Sequence, residues 1–119
     1  MKHFEYLENI DLHDAPVKSF IFDFESKTIS FQVLLYSEKK NDYDILEILF
    51  QKVHELQLAD IIIKDMKDVD VFDLEIIENA NRLFSTKISL NTGFGNGVSV
   101  VSFNFSELLI VQPSNLPAA

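Results

Sequence analysis

The sequence predicts a mainly β protein, an antiparallel β-sandwich or roll of about six strands with one short helix packed on it. Two observations carry this. Segments near each end of the chain alternate apolar and polar residues with a period of two, and polar or glycine-rich links join them in pairs. The chain also has 11 phenylalanines, most of them at alternate positions, as a core carried on strands requires.

The first pair is the more regular. In Val17–Phe24, Phe20, Phe22 and Phe24 fall on one face and Ser19 and Asp23 on the other. Glu25-Ser26-Lys27 interrupts. Thr28–Tyr36 then resumes, with Ile29, Phe31, Val33 and Leu35 opposite Thr28, Ser30 and Gln32. So short a link predicts a β-hairpin. Ser37–Asp42 is a charged loop.

Asp44–Leu58 carries two patterns. Ile45, Leu49, Val53 and Leu56 recur at helical spacing, with Asp44 placed to cap, whereas Leu46, Ile48 and Phe50 alternate as in a strand. The helical alternative changes the class to α+β with two helices. Ile61-Ile62-Ile63 is β-branched and suits a strand. Phe72–Phe84 spaces Leu74, Ile77 and Ala80 like a helix, with Asp73 as N-cap and Glu75 in the first turn. This is the expected helix.

In the last third, Thr86, Ile88 and Leu90 alternate with Lys87, Ser89 and Asn91, and a turn covers Asn91–Gly97. Val98–Phe105 returns with a change of phase: Val98 and Val100 share one face, and Val101, Phe103 and Phe105 the other. A β-bulge near Val100-Val101 is expected to reconcile them. Leu108–Val111 adds an edge strand. Residues 1–111 read as one β-rich domain and 112–119, with Pro113 and Pro117, as a flexible tail.

Charge narrows the partners. The net charge is −9. Met1–Ser37 has six acids and three bases, Glu38–Glu78 twelve acids and five bases, and the remainder one acid and two bases. The middle block therefore dominates the field. An acidic chain whose single arginine is Arg82 repels nucleic acid and anionic membranes and attracts basic proteins. Glu5 and Glu8 interrupt the N-terminal stretch where a secretory signal needs an apolar run, and the chain contains no cysteine, so the expected location is cytoplasmic.

No motif for catalysis, a cofactor or a metal stands out. Gly93-Phe94-Gly95-Asn96-Gly97 lies between two strand-like runs with no lysine after it, which suits a hairpin turn better than a phosphate loop. Asp65, Asp68, Asp70 and Asp73 do not match a calcium loop: counted from Asp68, Phe72 and Asp73 occupy positions that need an oxygen ligand and a glycine. They read as a solvated acidic loop and a partner-binding surface. His3, His13 and His54 lack metal-ligand spacing. His13 and Asp14 are adjacent and form a candidate polar site, although sequence neighbours seldom face each other. Their alternative role is to bond loose backbone groups where Pro16 leads into the first strand.

Leu12-His13-Asp14-Ala15, the strands Val17–Phe24 and Thr28–Tyr36, and the segment Leu46-Glu47-Ile48-Leu49-Phe50-Gln51-Lys52-Val53 together give the chain a resemblance to a loose group of small β-rich bacterial proteins, some of them immunity proteins encoded beside polymorphic toxins. The resemblance implies that Leu46–Val53 is a strand; together with the acidic block Glu38–Glu78 and the lack of catalytic motifs, it favours a non-catalytic immunity protein that blocks a basic toxin with that acidic middle segment. It transfers no catalytic residue. Two other functions remain: a small-ligand or enzymatic domain with an apolar pocket near His13, and a homo-oligomer subunit associating through the weakly charged last third.

Overall fold

The computed structural model describes residues 2–59, 69–79, 82–91 and 98–111. Among them are one short helix, α1 (Lys2–Glu8), and eight strands: β1 (Val17–Asp23), β2 (Thr28–Ser37), β3 (Asp42–Gln51), β4 (His54–Ala59), β5 (Asp70–Glu78), β6 (Phe84–Asn91), β7 (Val98–Phe105) and β8 (Glu107–Val111). They form two antiparallel sheets of four strands. Sheet I has the order β1-β2-β3-β8 and sheet II the order β4-β7-β6-β5. The mainly β, sandwich-like architecture with one helix is as expected.

The sheets are joined at a corner. Lys52 and Val53 alone separate β3 from β4, and Ser106 alone separates β7 from β8. Because β3 pairs with β8 while β4 pairs with β7, residues 42–59 and 98–111 form one long bent ribbon running through both sheets. Lys52 takes a left-handed φ of 57° at the bend, and the Ser106 amide donates to the Gln51 carbonyl across it at 3.2 Å. Asp44–Leu58 is therefore strand, as the alternation of Leu46, Ile48 and Phe50 indicates. Its helical repeat arises because the bend changes which residues face inward. Counting each bent strand as one leaves six, in line with the expected number.

A second seam lies diagonally opposite. The Asp14 amide donates to Val71 O at 2.7 Å, the Val71 amide to Ala15 O at 2.9 Å, and the Val17 amide to Val69 O at 2.9 Å. This short ladder ties the entry of β1 to the start of β5. Pro16, which has no N–H to donate, sits in it and accepts from the Leu34 amide of β2 at 2.9 Å.

Inside, rows of residues align across sheet I. Phe22, Ile29, Phe50 and Leu108 form one row, and Phe20, Phe31, Ile48 and Ile110 the next. From sheet II, Phe103 and Phe105 meet Phe50 edge to face at centroid distances of 4.9 and 5.0 Å, and Phe84 stacks on Phe105 at 5.3 Å. Phe31, Phe50 and Phe105 have no exposed surface, and burying each contributes about 1.5–3 kcal/mol. The phenylalanine alternation is thus the core.

Three expectations need correction. Phe72–Phe84 is not a helix: β5 occupies Asp70–Glu78, and Asp73 caps nothing. The strand opens on a bulge. Val71 pairs with Leu90 and Asp73 with Ser89, which leaves Phe72 as the extra residue. Val71 and Leu74 then face inward together, whereas Ile77, which the helical spacing groups with Leu74, is 60% exposed on the other face. The helix lies instead at Lys2–Glu8, where it packs on β8 through a segment with no strong period. Next, β7 has no bulge near Val100-Val101. It pairs with β6 in unbroken register, and its buried face runs Ser99, Val101, Phe103, Phe105. The core accepts a serine there, so the change of phase has nothing to reconcile. Finally, Phe24 does not share a face with Phe20 and Phe22. The turn begins at that residue and leaves it 79% exposed.

Ile61-Ile62-Ile63, the glycine turn at 93–97 and the tail at 112–119 lie outside the described residues, as do Asp65 and Asp68.

Candidate interaction surface

The seam between the β1 entry and β5 brings together candidate residues far apart in sequence. Leu12 and Ala15, both buried, anchor the loop before β1, and the Ala15 amide closes a turn onto Leu12 O at 3.0 Å. Between them the chain is exposed. The His13 amide donates to Asp11 Oδ1 at 2.9 Å, a side-chain turn that suits Asp. Asp14 has a left-handed φ of 65°, a conformation Asp tolerates better than most residues.

That backbone turns the His13 ring over β5. Its Nδ1–H donates to the Phe72 carbonyl at 2.8 Å, the ring meets Phe72 edge-on at 5.9 Å, and Nε2 lies 3.5 Å from Asp14 Oδ2. The adjacent His13 and Asp14 thus do face each other, against expectation, because the left-handed turn at Asp14 removes the usual strand-like divergence. Binding a loose backbone carbonyl, the alternative role, is also what His13 does. The Phe72 carbonyl holds the imidazole pKa above its ordinary 6.5, with Asp14 the next contributor and Asp11 and Asp70 behind it.

Of the four acids expected to form a surface, Asp70 and Asp73 are described. Both lie on β5, beside the loop that carries Asp11 and Asp14. Asp70 is half-buried and accepts from Asn91 Nδ2 at 2.9 Å, while Asp73 is exposed. Among the described residues, no lysine or arginine makes an ion pair with Asp11, Asp14, Asp70 or Asp73. The middle acidic block does not act as a unit. The corner splits it, placing Asp42, Asp44 and Glu47 on sheet I and Asp70, Asp73, Glu75 and Glu78 on sheet II.

A cavity of about 190 Å³ lies beside this seam, lined by residues of the Leu7–His13 segment and by Phe72, Asp73 and Leu74. It is smaller than the roughly 300–1,000 Å³ of common ligand pockets. A second, more open cleft of about 210 Å³ lies at the corner, where Phe22, Phe24, Ile29, Val53 and Leu56 supply apolar walls. Among the described residues, no three His, Asp or Glu side chains group closely enough to hold a metal ion. No described helix is long and apolar enough to cross a membrane.

Set against family models, curated proteins and solved structures, the chain matches none. Its function is therefore read from the geometry and charge of this surface.

Asp11 was not among the expected site residues. The signal was present: an Asp two residues before His13, placed to hold the loop open through its own side chain.

Proposed function

We propose that this chain is a non-catalytic, cytoplasmic interaction module that binds a basic protein through the acidic seam formed by Asp11, Asp14, Asp70 and Asp73. One observation carries the reading. Two segments more than fifty residues apart deliver four carboxylates to one edge, and no described lysine or arginine pairs with them. Such a field speeds encounter with a cationic surface and disfavours acidic partners. In the setting that the resemblance implies, the partner is a basic toxin whose active surface the module covers.

The test is binding to a basic protein across ionic strengths from about 0.01 M to about 1 M, where the screening length falls from about 30 to about 3 Å. Affinity should fall steeply with salt. It should also fall in the double variant Asp70→Asn, Asp73→Asn, and hold when Asp42, on sheet I, is neutralised. Binding indifferent to salt, or to the Asp70 and Asp73 changes, would count against the seam.

A second reading follows from the cavity beside His13, which accommodates a ligand of only a few heavy atoms. If it is a small-ligand site, low-molecular-weight polar compounds should shift the His13 ring resonances. A broad fragment screen that leaves those resonances unmoved removes this reading.

A further inference from the structure

We propose that the apolar cleft at the corner between the two sheets is a binding site for a small uncharged aromatic molecule, a single ring carrying one hydrogen-bond donor, of which phenol is the simplest example.

The cleft is where the core of the sandwich reaches the surface. The β1–β2 hairpin supplies Phe22 and Ile29, and the bend into β4 supplies Val53 and Leu56. Ile29 is 2% exposed and forms the floor. Phe22, Val53 and Leu56 pack against the core and are half-buried. Phe24 stands at the mouth, 79% exposed, the most exposed large apolar side chain among the described residues. Its position beside an apolar cleft sets it apart from an apolar residue scattered alone on a surface.

The site is held in shape before anything binds. The Val53 amide donates to Lys27 O at 2.9 Å, which ties the hairpin turn to the bend. Asp23 Oδ1 accepts from the Glu25 and Ser26 amides, both at 3.1 Å, and fixes the turn itself. On the other wall, β4 carries a bulge between His54 and Gln57, with Glu55 at a left-handed φ of 56°. The bulge lets Leu56 turn to the core while Glu55 stays exposed and accepts from Asn104 Nδ2 at 2.9 Å. A ligand therefore meets a formed surface and bears little ordering cost.

Volume and chemistry select the ligand. The cleft holds about 210 Å³. That is below the roughly 300–1,000 Å³ of drug-sized pockets, yet above the roughly 150 Å³ of an apolar cavity that binds benzene. It has room for one ring with a small substituent. Two of its walls are phenylalanine rings, against which another aromatic ring packs offset or edge-on.

Charge removes ions. Asp23 and Glu55 lie at the rim of a chain at −9, so an anion is repelled. Both acids already accept hydrogen bonds. Lys27, also at the rim, makes no ion pair among the described residues and opposes a cation. Either ion would also lose hydration against the apolar walls. For a neutral donor, His54 supplies an acceptor. Its Nδ1–H donates to Lys52 O at 3.3 Å, which leaves Nε2 of the neutral ring with a free lone pair.

The test is a carbon-13 NMR titration of the full chain with phenol up to about 10 mM, at about pH 8, above the ordinary histidine range. Saturable shifts are expected at Phe24, Ile29, Val53 and Leu56, with a Kd of about 1 mM or tighter. Phe24→Ala should weaken binding about threefold or more. His54→Ala should weaken phenol about threefold and leave toluene, which has no donor, unchanged. Both changes are on exposed side chains, and circular dichroism checks that the variants fold. Four results would overturn the proposal: shifts that rise without saturating, shifts that saturate only at the cavity beside His13, benzoate or benzylammonium binding the corner more tightly than phenol, or phenol binding indifferent to both substitutions. The corner is separate from the acidic seam, so failure here leaves the proposed interaction function standing.

Discussion

Sheets I and II share one core yet turn different faces to water. Outward from sheet II, Asp73 and Glu75 of β5 sit opposite Ser89 and Lys87 of β6, and a hydrogen-bonded chain runs from Asn79 through Ser85 and Asn104 to Glu55. Outward from sheet I, Ile21, Leu49 and Leu109 lie on one side of a polar row of Ser19, Gln32 and Glu47, and Leu34, Ile45, Tyr36 and Tyr43 on the other. The difference teaches that alternation along a strand says which residues share a face and not which face is buried. β3 has Leu46, Ile48 and Phe50 on one side and Ile45 and Leu49 on the other, so it is apolar on both. Only its neighbours decide which set forms the core.

The largest effect tests whether the two sheets share one core. Phe50→Ala removes a buried ring beside the corner that touches Phe103 and Phe105 of sheet II. It should cost about 3–5 kcal/mol in denaturant unfolding and shift a single cooperative transition. Two separated transitions would show that the sheets unfold apart. Next, Glu47→Ala removes the carboxylate that accepts from Ser30 Oγ and Gln32 Nε2, each at 2.8 Å, and should cost about 1–3 kcal/mol, as losing bonds to a charged acceptor does. On the polar face, Asn104→Ala breaks the Ser85–Asn104–Glu55 chain where water can replace it, and should cost about 0.5–1.5 kcal/mol or less. If Asn104 proves the costlier of the two, the contrast between the faces is reversed.

The smallest effect concerns the seam. His13 titrates above 6.5 in the folded protein because the Phe72 carbonyl and Asp14 favour its charged form. Its contribution to docking the loop on β5 is fully present below the unfolded-state value and is lost as pH rises through the folded one. A pH series of histidine resonances should place His13 above 6.5, and amide exchange at Asp14 and Val71 should quicken as the ring deprotonates. A His13 value at or below 6.5 would mean that the Phe72 contact is not kept in solution.

Much of this was legible in the residues. The β1–β2 hairpin, the Leu108–Val111 edge and the phenylalanine core follow from period-two alternation joined by short polar links, a local property that needs no knowledge of neighbours. The spacing of Leu74, Ile77 and Ala80 imitates a helix, but on β5 three positions change the face, so Leu74 turns to the core and Ile77 to solvent. The better clue was Leu74 and Ile76 alternating with Asp73 and Glu75. Of the candidate site, His13, Asp14, Asp70 and Asp73 were each visible as polar residues. Their convergence was not, since it depends on a ladder between residues 14–17 and 69–71.

By itself the sequence determined the β class, the acidity and the residues available for the core, because side-chain chemistry and short-range periodicity act within a few positions. Tertiary structure alone decided where Asp44–Leu58 bends, which apolar side of β3 is buried, and how the acidic middle segment divides between two sheets. Those outcomes depend on pairings between distant strands, whose energies no local pattern encodes. The acidity noted at the start is therefore no longer one segment's property. Four of its carboxylates meet, beside His13, at a seam that folding alone assembles.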